Sequence, residues 1–127
     1  MPAPGATEPV SAYARSEGVS ITGGYVCRGQ VCSKLRGCYL YGDYLTGNVW
    51  ALIRDPNAPA QQEGSHRTRA GFLVLKLIDG SSALASFGED ALGEVYTCHF
   101  DGKIRRFVQT ADPSASPSPA PIPGGGK

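Results

Sequence analysis

Apolar and polar residues alternate in short bursts along most of the chain, which is the period of two that β-strands produce. The predicted strands cover residues 20–28, 37–44, 47–54, 70–78, 82–88, 94–100 and 103–108. We expect the run 70–78 (AGFLVLKLI) to be fully buried, since it is the most apolar stretch, and residues 55–69 to form a polar connection. The pattern therefore predicts about seven short antiparallel strands and no long helix.

Turn residues between these bursts support the same interpretation. The chain contains 17 Gly and 10 Pro, and both residue types oppose long helices. Hairpin turns are predicted at residues 45–48 and at Asp101-Gly102. The predicted core includes Tyr39, Tyr41, Val49, Leu52, Val74, Leu84, Val95 and Ile104. On this pattern alone a sandwich, a barrel and propeller blades all remain possible.

Composition divides the chain into three stretches. Residues 1–18 are small and polar, and they predict an irregular lead-in that could add one edge segment. The folded part is expected to cover residues 19–110. Residues 111–127 are rich in Pro, Ser and Gly, and this composition predicts a disordered C-terminal tail.

Charge and hydropathy narrow the range of partners. The formal net charge is +1, so no strong field attracts the chain to nucleic acid or to an anionic membrane. No apolar run approaches the roughly 20 residues of a membrane helix. The first residues also lack the basic start and apolar centre of a signal peptide. We expect no nucleic-acid partner and no membrane span.

Four ordered segments carry a resemblance to a known family. They are residues 20–29 (SITGGYVCRG), 35–52 (LRGCYLYGDYLTGNVWAL), 86–96 (SFGEDALGEVY) and 101–108 (DGKIRRFV). Together they resemble the C-terminal end of the glucose/sorbosone dehydrogenase family of six-bladed β-propellers, and most closely its hedgehog-interacting-protein-like branch.

The resemblance implies an all-β fold whose antiparallel strands form about two blades of a partial propeller, because one blade needs about 40 residues. It further implies a fragment whose partners are the remaining blades or other copies of itself.

The same resemblance bears on cofactors. Family members that oxidise sugars hold pyrroloquinoline quinone and calcium. Where those members place a lysine in a hairpin, this chain has Leu45 or Thr46, and neither can neutralise a carboxylate. A basic pair is also missing before residue 86, where the chain reads SSALA. We therefore expect no cofactor and no catalytic residue in this chain.

The four cysteines are Cys27, Cys32, Cys38 and Cys98. A zinc site that also uses His99 is one alternative, but the spacing lacks the CxxC pairs typical of such sites. The related propellers are largely secreted, which favours disulfides. The first pairing to consider joins Cys32 to Cys38 and leaves Cys27 to Cys98.

The remaining candidate side chains have structural interpretations. His66 is predicted to be a solvated loop residue, and His99 a half-buried residue at a strand end. Asp43, Glu89 and Asp90 follow predicted strands, where carboxylates commonly accept hydrogen bonds from exposed backbone N–H groups. We interpret these three as structural turn carboxylates and not as catalytic acids.

Three functional hypotheses follow. The chain is part of a quinone-dependent sugar dehydrogenase that needs the missing blades, or a non-catalytic extracellular binding module, or a fragment without activity. The substituted basic positions favour the second and third. A binding module would contact an extracellular protein or a carbohydrate. Because residues 1–18 offer no signal peptide, extracellular localisation requires a secreted parent.

Overall fold

The computed structural model describes residues 4–80 and 83–108. Within these residues the protein is all-β, with one short 3₁₀ turn and no α-helix, which confirms the predicted fold class. The predicted tail, residues 111–127, lies outside the described residues. The strands are β1 Ser11–Ala12, β2 Ile21–Val26, β3 Tyr39–Asp43, β4 Val49–Arg54, β5 Gln61–Glu63, β6 His66–Thr68, β7 Phe72–Ile78, β8 Leu84–Glu89, β9 Val95–His99 and β10 Ile104–Arg106.

A four-stranded antiparallel sheet forms the centre of the molecule. Its strand order is β2-β3-β4-β7, and the β5–β6 hairpin is inserted between its last two strands. Side chains alternate between its two faces, so Leu40, Val49 and Ala51 lie on one face and Tyr41 and Trp50 on the other. This meander has the strand number and connectivity of a propeller blade.

Two three-stranded sheets accompany the central sheet. Strands β8, β9 and β10 form one, in the order β10-β9-β8. Its Leu84, Phe87 and Val95 share the hydrophobic core with Leu40 and Val49 of the central sheet. A blade-like sheet of four strands followed by a second sheet of three is a partial propeller-like arrangement.

The other face of the central sheet is covered by the sheet β1-β6-β5. Here Tyr13, which follows β1, and His66 of β6 pack against Trp50. Residues 55–69, predicted to be a polar connection, therefore contain two strands. The edge segment considered for residues 1–18 corresponds to β1, which pairs with β6.

Four turns share one local geometry, the G1 bulge, in which a glycine with positive φ lets two residues oppose one. The glycines are Gly37, Gly47, Gly93 and Gly102, with φ between 73° and 85°. In each turn the glycine N–H donates to the backbone carbonyl of the opposing residue. The N–H of that opposing residue donates in turn to the backbone carbonyl of the residue that follows the glycine. The opposing residues are Cys27, Asp43, Asp90 and His99. The hairpins predicted at residues 45–48 and 101–102 are both of this kind.

Burial departs from the prediction at two edge strands. Ile104, predicted to be in the core, is 71% exposed because β10 forms the outer edge of its sheet. The run 70–78 is also not fully buried, and its Leu75 is 53% exposed, because β7 is an edge strand of the central sheet. Of the other predicted core residues, Tyr41, Val49, Leu84 and Val95 are buried, and Tyr39, Leu52 and Val74 are half-buried.

Candidate functional site

A cavity of about 370 Å³ opens between the central sheet and the β5–β6 hairpin. Its lining combines an aromatic ring, an imidazole, two carboxylates, an amide and an ammonium group. We call it the His66 cavity. It is lined by Glu17, Trp50, Gln61, Glu63, Gly64, His66, Thr68, Val74 and Lys76. A volume of this size falls within the range of small-molecule sites.

Aromatic side chains build the floor of the His66 cavity. Trp50 lies opposite Tyr41 on β3 and opposite Lys76 on β7, so the three side chains form a row across one face. The Trp50 ring centroid lies 5.0 Å from that of Tyr13 and 5.4 Å from that of His66. The Lys76 ammonium nitrogen lies 5.9 Å from the indole centroid, a cation–π distance. Packing on three sides fixes the indole ring in place.

The structure buries His66, contrary to the prediction of a solvated loop residue. It begins β6, and only 8% of its surface is exposed. Its Nε2 lies 3.3 Å from the Tyr41 hydroxyl and 3.0 Å from Ser11 Oγ. Burial lowers the pKa of His66, and the repulsion of Lys76 acts in the same direction, against the attraction of Glu17 and Glu63. The imidazole is therefore neutral at pH 7.

The distance between Ser11 Oγ and His66 Nε2 is that of a nucleophile–base pair, but the surroundings of Ser11 are not those of a nucleophile. Ser11 Oγ also lies 3.4 Å from Thr68 Oγ1, which belongs to the paired strand. Ser11 is not among the residues that line the His66 cavity. A nucleophile must meet its substrate, so this contact serves to fasten β1 to β6.

The entrance of the His66 cavity is charged. Glu63 is exposed and Glu17 half-buried at its border, and the Lys76 ammonium forms an ion pair with Asp79 at 3.5 Å. Sequence reasoning missed this group because its members lie on separate segments. One signal was available, however: Gly64-Ser65 is a two-residue turn, with Gly64 at φ 62° as a type II′ turn requires. That turn predicts the β5–β6 hairpin.

Asp43 lies at the end of β3 with its carboxylate fully buried. Oδ1 accepts hydrogen bonds from the backbone N–H groups of Leu45 and Thr46, both at 3.0 Å. Oδ2 accepts the N–H groups of Val19 at 2.7 Å and Ser20 at 2.9 Å. The Tyr13 hydroxyl donates to the same oxygen at 3.0 Å. The carboxylate thus joins the lead-in, the start of β2 and the β3–β4 turn.

These contacts also decide the charge of Asp43. Burial alone would raise its pKa, but the donors from Thr46, Ser20, Tyr13 and Val19 outweigh burial and hold the pKa below 3.8. Burial and the hydrogen bond to Asp43 raise the pKa of Tyr13, so its hydroxyl stays protonated and donates. A carboxylate with every acceptor position in use has a structural role.

Asp90 holds the turn after β8 in a similar way. Asp90 Oδ1 accepts the N–H groups of Leu92 and Glu94 at 2.9 Å and 3.0 Å. Tyr96 donates to Asp90 Oδ2 at 2.8 Å, and this hydrogen bond is the main reason that the Asp90 pKa is lowered. Glu89, interpreted as a further turn carboxylate, is exposed at the end of β8.

Glu94 is a buried carboxylate that sequence reasoning did not single out. Its Oε2 accepts the N–H groups of Gln30 and Val31, at 2.8 Å and 3.0 Å, in the loop between β2 and β3. It thereby connects the central sheet to the sheet that contains β9.

Leu45 and Thr46, the positions expected to lack a cofactor-binding lysine, lie in the β3–β4 turn. Leu45 is 57% exposed. Thr46 Oγ1 lies 3.3 Å from Asp43 Oδ1 and accepts the Asn48 N–H. Neither side chain presents a cation.

The four cysteines, all within the described residues, are free thiols, so neither predicted disulfide is formed. Cys27, Cys32 and Cys38 are buried in the core, and Cys98 is half-buried on β9. His99 Nε2 lies 2.8 Å from Thr97 Oγ1. Among residues 4–80 and 83–108, no three His, Cys, Asp or Glu side chains are placed to hold a metal ion.

No family model matches this chain, and no solved structure matches it. No helix in the described part of the chain is long and apolar enough to cross a membrane.

Proposed function

We propose that the chain is a non-catalytic binding module from the C-terminal part of a glucose/sorbosone dehydrogenase-like propeller, of the hedgehog-interacting-protein-like kind. In this proposal the parent protein is secreted, and the module binds a carbohydrate outside the cell. The observation that carries the proposal is the His66 cavity, which gathers hydrogen-bonding side chains around the Trp50 ring.

Binding is favoured over catalysis because the buried acids are already occupied. Asp43 and Glu94 accept backbone hydrogen bonds and do not line the His66 cavity. The one imidazole in the cavity shares Nε2 between Tyr41 and Ser11. General acid or base catalysis by this imidazole would need its Nε2 within reach of a substrate proton, and Nε2 is held by these two partners.

A polyhydroxylated ligand fits the chemistry of the cavity. The carboxylates of Glu17 and Glu63 accept hydrogen bonds from hydroxyl groups, the Lys76 ammonium donates, and the Gln61 amide does both. Val74 offers an apolar surface for the C–H face of a sugar ring. With carboxylates and an ammonium present together, the site suits a neutral ligand better than a strongly charged one.

Sugar titration monitored by tryptophan fluorescence tests the proposal, since Trp50 is the sole tryptophan and lines the cavity. We expect a saturable change of emission with D-glucose, D-galactose or D-mannose. Glu63→Gln should weaken the best of these at least tenfold. Glu89→Gln, on the exposed end of β8, is the matched control and should leave affinity unchanged.

Two results would contradict the proposal. One is the absence of any saturable response to all three hexoses up to about 50 mM. A dissociation constant above 1 mM corresponds to less than about 4 kcal/mol of binding free energy. The other is calcium-dependent dye reduction with glucose and added pyrroloquinoline quinone, which would make the module catalytic.

A further inference from the structure

Three thiols gather at one end of the hydrophobic core. Cys27 follows β2, Cys38 precedes β3, and Cys32 lies in the loop between them, at the start of the 3₁₀ turn Ser33–Leu35. Their exposed fractions are 3%, 4% and 8%, in that order. All three belong to the core cluster that contains Leu40.

Cys27 and Cys38 lie directly opposite each other. The β2–β3 ladder pairs Val26 with Tyr39, so Cys27 and Cys38 form the next position. The Cys27 N–H donates to the Cys38 carbonyl at 2.9 Å, and the Gly37 N–H donates to the Cys27 carbonyl at 2.8 Å. Gly37 and Cys38 are the two residues of the G1 bulge described above. Cys38 is the second of them and remains opposite Cys27.

The side chains of this pair share one face of the sheet. Alternation along β3 puts Cys38 on the same face as Leu40, which lies in the core. Opposing residues of an antiparallel pair have Cα atoms about 4.5 to 5.5 Å apart. A disulfide needs about 4.4 to 6.8 Å. The Cα separation typical of opposing residues therefore lies within the range that a disulfide spans.

Cys98 lies outside this group. In the β8–β9 register, Val95 is opposite Glu89 and Thr97 opposite Phe87, and Val95 and Thr97 are both buried. Alternation turns Cys98 to the other face of the strand, where it is half-buried. A bond from Cys27 to Cys98 would require a rotated strand.

We propose that Cys27 and Cys38 form a cross-strand disulfide when the protein folds in an oxidising compartment, with Cys32 and Cys98 left as thiols. The oxidant is a small disulfide such as glutathione disulfide. One cysteine thiolate attacks a glutathione sulfur and releases one glutathione thiolate. The second cysteine then attacks the mixed disulfide and releases the other. Two cysteine thiols are oxidised to one disulfide, and glutathione disulfide is reduced to two thiols, which take up the two protons.

We expect the bond to form during folding, because the three thiols become less reactive once they are buried in the core. Burial and the neighbouring Cys27 raise the pKa of Cys32, and burial with both neighbours raises that of Cys38. Thiols with raised pKa values react slowly because the thiolate is the nucleophile. Once formed, the disulfide closes the loop that Glu94 holds through Gln30 and Val31.

Tryptic peptide mapping tests this pairing without ambiguity, because each cysteine falls on its own peptide. Cleavage after Lys and Arg gives residues 16–28 with Cys27, 29–34 with Cys32, 37–54 with Cys38 and 77–103 with Cys98. The full chain is refolded in a glutathione redox buffer, alkylated and digested. We expect peptide 16–28 cross-linked to 37–54, and the other two peptides alkylated. A cross-link between 29–34 and 37–54, one between 16–28 and 77–103, or four alkylated cysteines would overturn the proposal.

Two variants extend the test to stability. The double variant C32S/C98S retains the proposed pair, so it should show no free thiol after oxidation and should melt at least about 5 °C higher oxidised than reduced. In C38S the oxidant should produce no such rise. Two free thiols remaining in the oxidised double variant would contradict the proposal.

Discussion

Replacement of Asp43 by asparagine should destabilise the protein far more than the change of one atom suggests. Asparagine preserves the shape of the side chain, and its carbonyl oxygen can still accept the two N–H groups of the β3–β4 turn. The other end of the amide is an NH₂ group, and it would replace an oxygen that accepts hydrogen bonds from Val19, Ser20 and Tyr13. Donors would then face donors inside the protein.

The three donor distances set the size of the effect. At 2.7, 2.9 and 3.0 Å, each hydrogen bond to Asp43 Oδ2 is well formed. A buried group that loses its partner costs about 1–3 kcal/mol, and such losses are not fully additive because the Tyr13 hydroxyl can rotate. We expect Asp43→Asn to lower the free energy of unfolding by about 3–5 kcal/mol and the melting temperature by at least about 10 °C.

Urea denaturation followed by Trp50 fluorescence measures this loss. Asp55→Asn is the matched control, because Asp55 accepts one hydrogen bond, from the Asn57 N–H at 3.0 Å, which an amide oxygen can also accept. The control should stay within about 0.5 kcal/mol of the wild type. If Asp43→Asn were equally mild, the assigned role of Asp43 as the junction of three segments would be wrong.

The pH dependence of the same difference gives a second check. The folded pKa of Asp43 lies below its ordinary value of 3.8, so the stabilisation from its charged form is present above pH 3.8. It is lost as the pH falls through the folded pKa. Because asparagine does not titrate, the stability gap between wild type and Asp43→Asn should narrow below pH 3.8. A gap that stays constant there would contradict the assignment.

Two further predictions follow. Gly24→Ala should strongly lower the melting temperature, because a Cβ at Gly24 in the β2–β3 bulge would collide with the Leu40 carbonyl. Gly88→Ala is the control and should leave the melting temperature nearly unchanged, because a Cβ there meets open space. The isolated chain should self-associate through its exposed apolar residues, among them Leu75 on β7 and Ile104 on β10. Light scattering that shows a 13.3 kDa monomer at tens of micromolar would refute this prediction.

The seven sequence-predicted strands correspond to seven of the strands in the structure, because their alternating apolar residues reflect burial on a sheet face. Strands β5 and β6 escaped this reasoning because QQE and HRT contain no apolar alternation. What makes them strands is pairing: β6 lies between β5 and β1. Ile104 was misplaced for the complementary reason, since alternation cannot tell an edge strand from a central one.

The His66 cavity could not be predicted from the sequence, for a similar reason. His66 meets Ser11, which is 55 residues away, and Tyr41, which is 25 residues away. A local window around QEGSHRTR contains only polar neighbours, and these predict solvent exposure. The turn carboxylates were easier to interpret, because Asp43 and Asp90 bond to backbone within four residues of themselves.

The pairing of β1 with β6 has a consequence for the order of folding. Ser11 lies opposite Thr68, whereas the β3–β4, β5–β6, β8–β9 and β9–β10 pairs are hairpins between neighbouring strands. Closing a long loop is entropically slower than closing a hairpin. During synthesis, β1 can pair only after β6 has emerged from the ribosome. We therefore expect β1 to dock after the central sheet has formed, so that the packing of Tyr13 and His66 against Trp50 is completed late in folding.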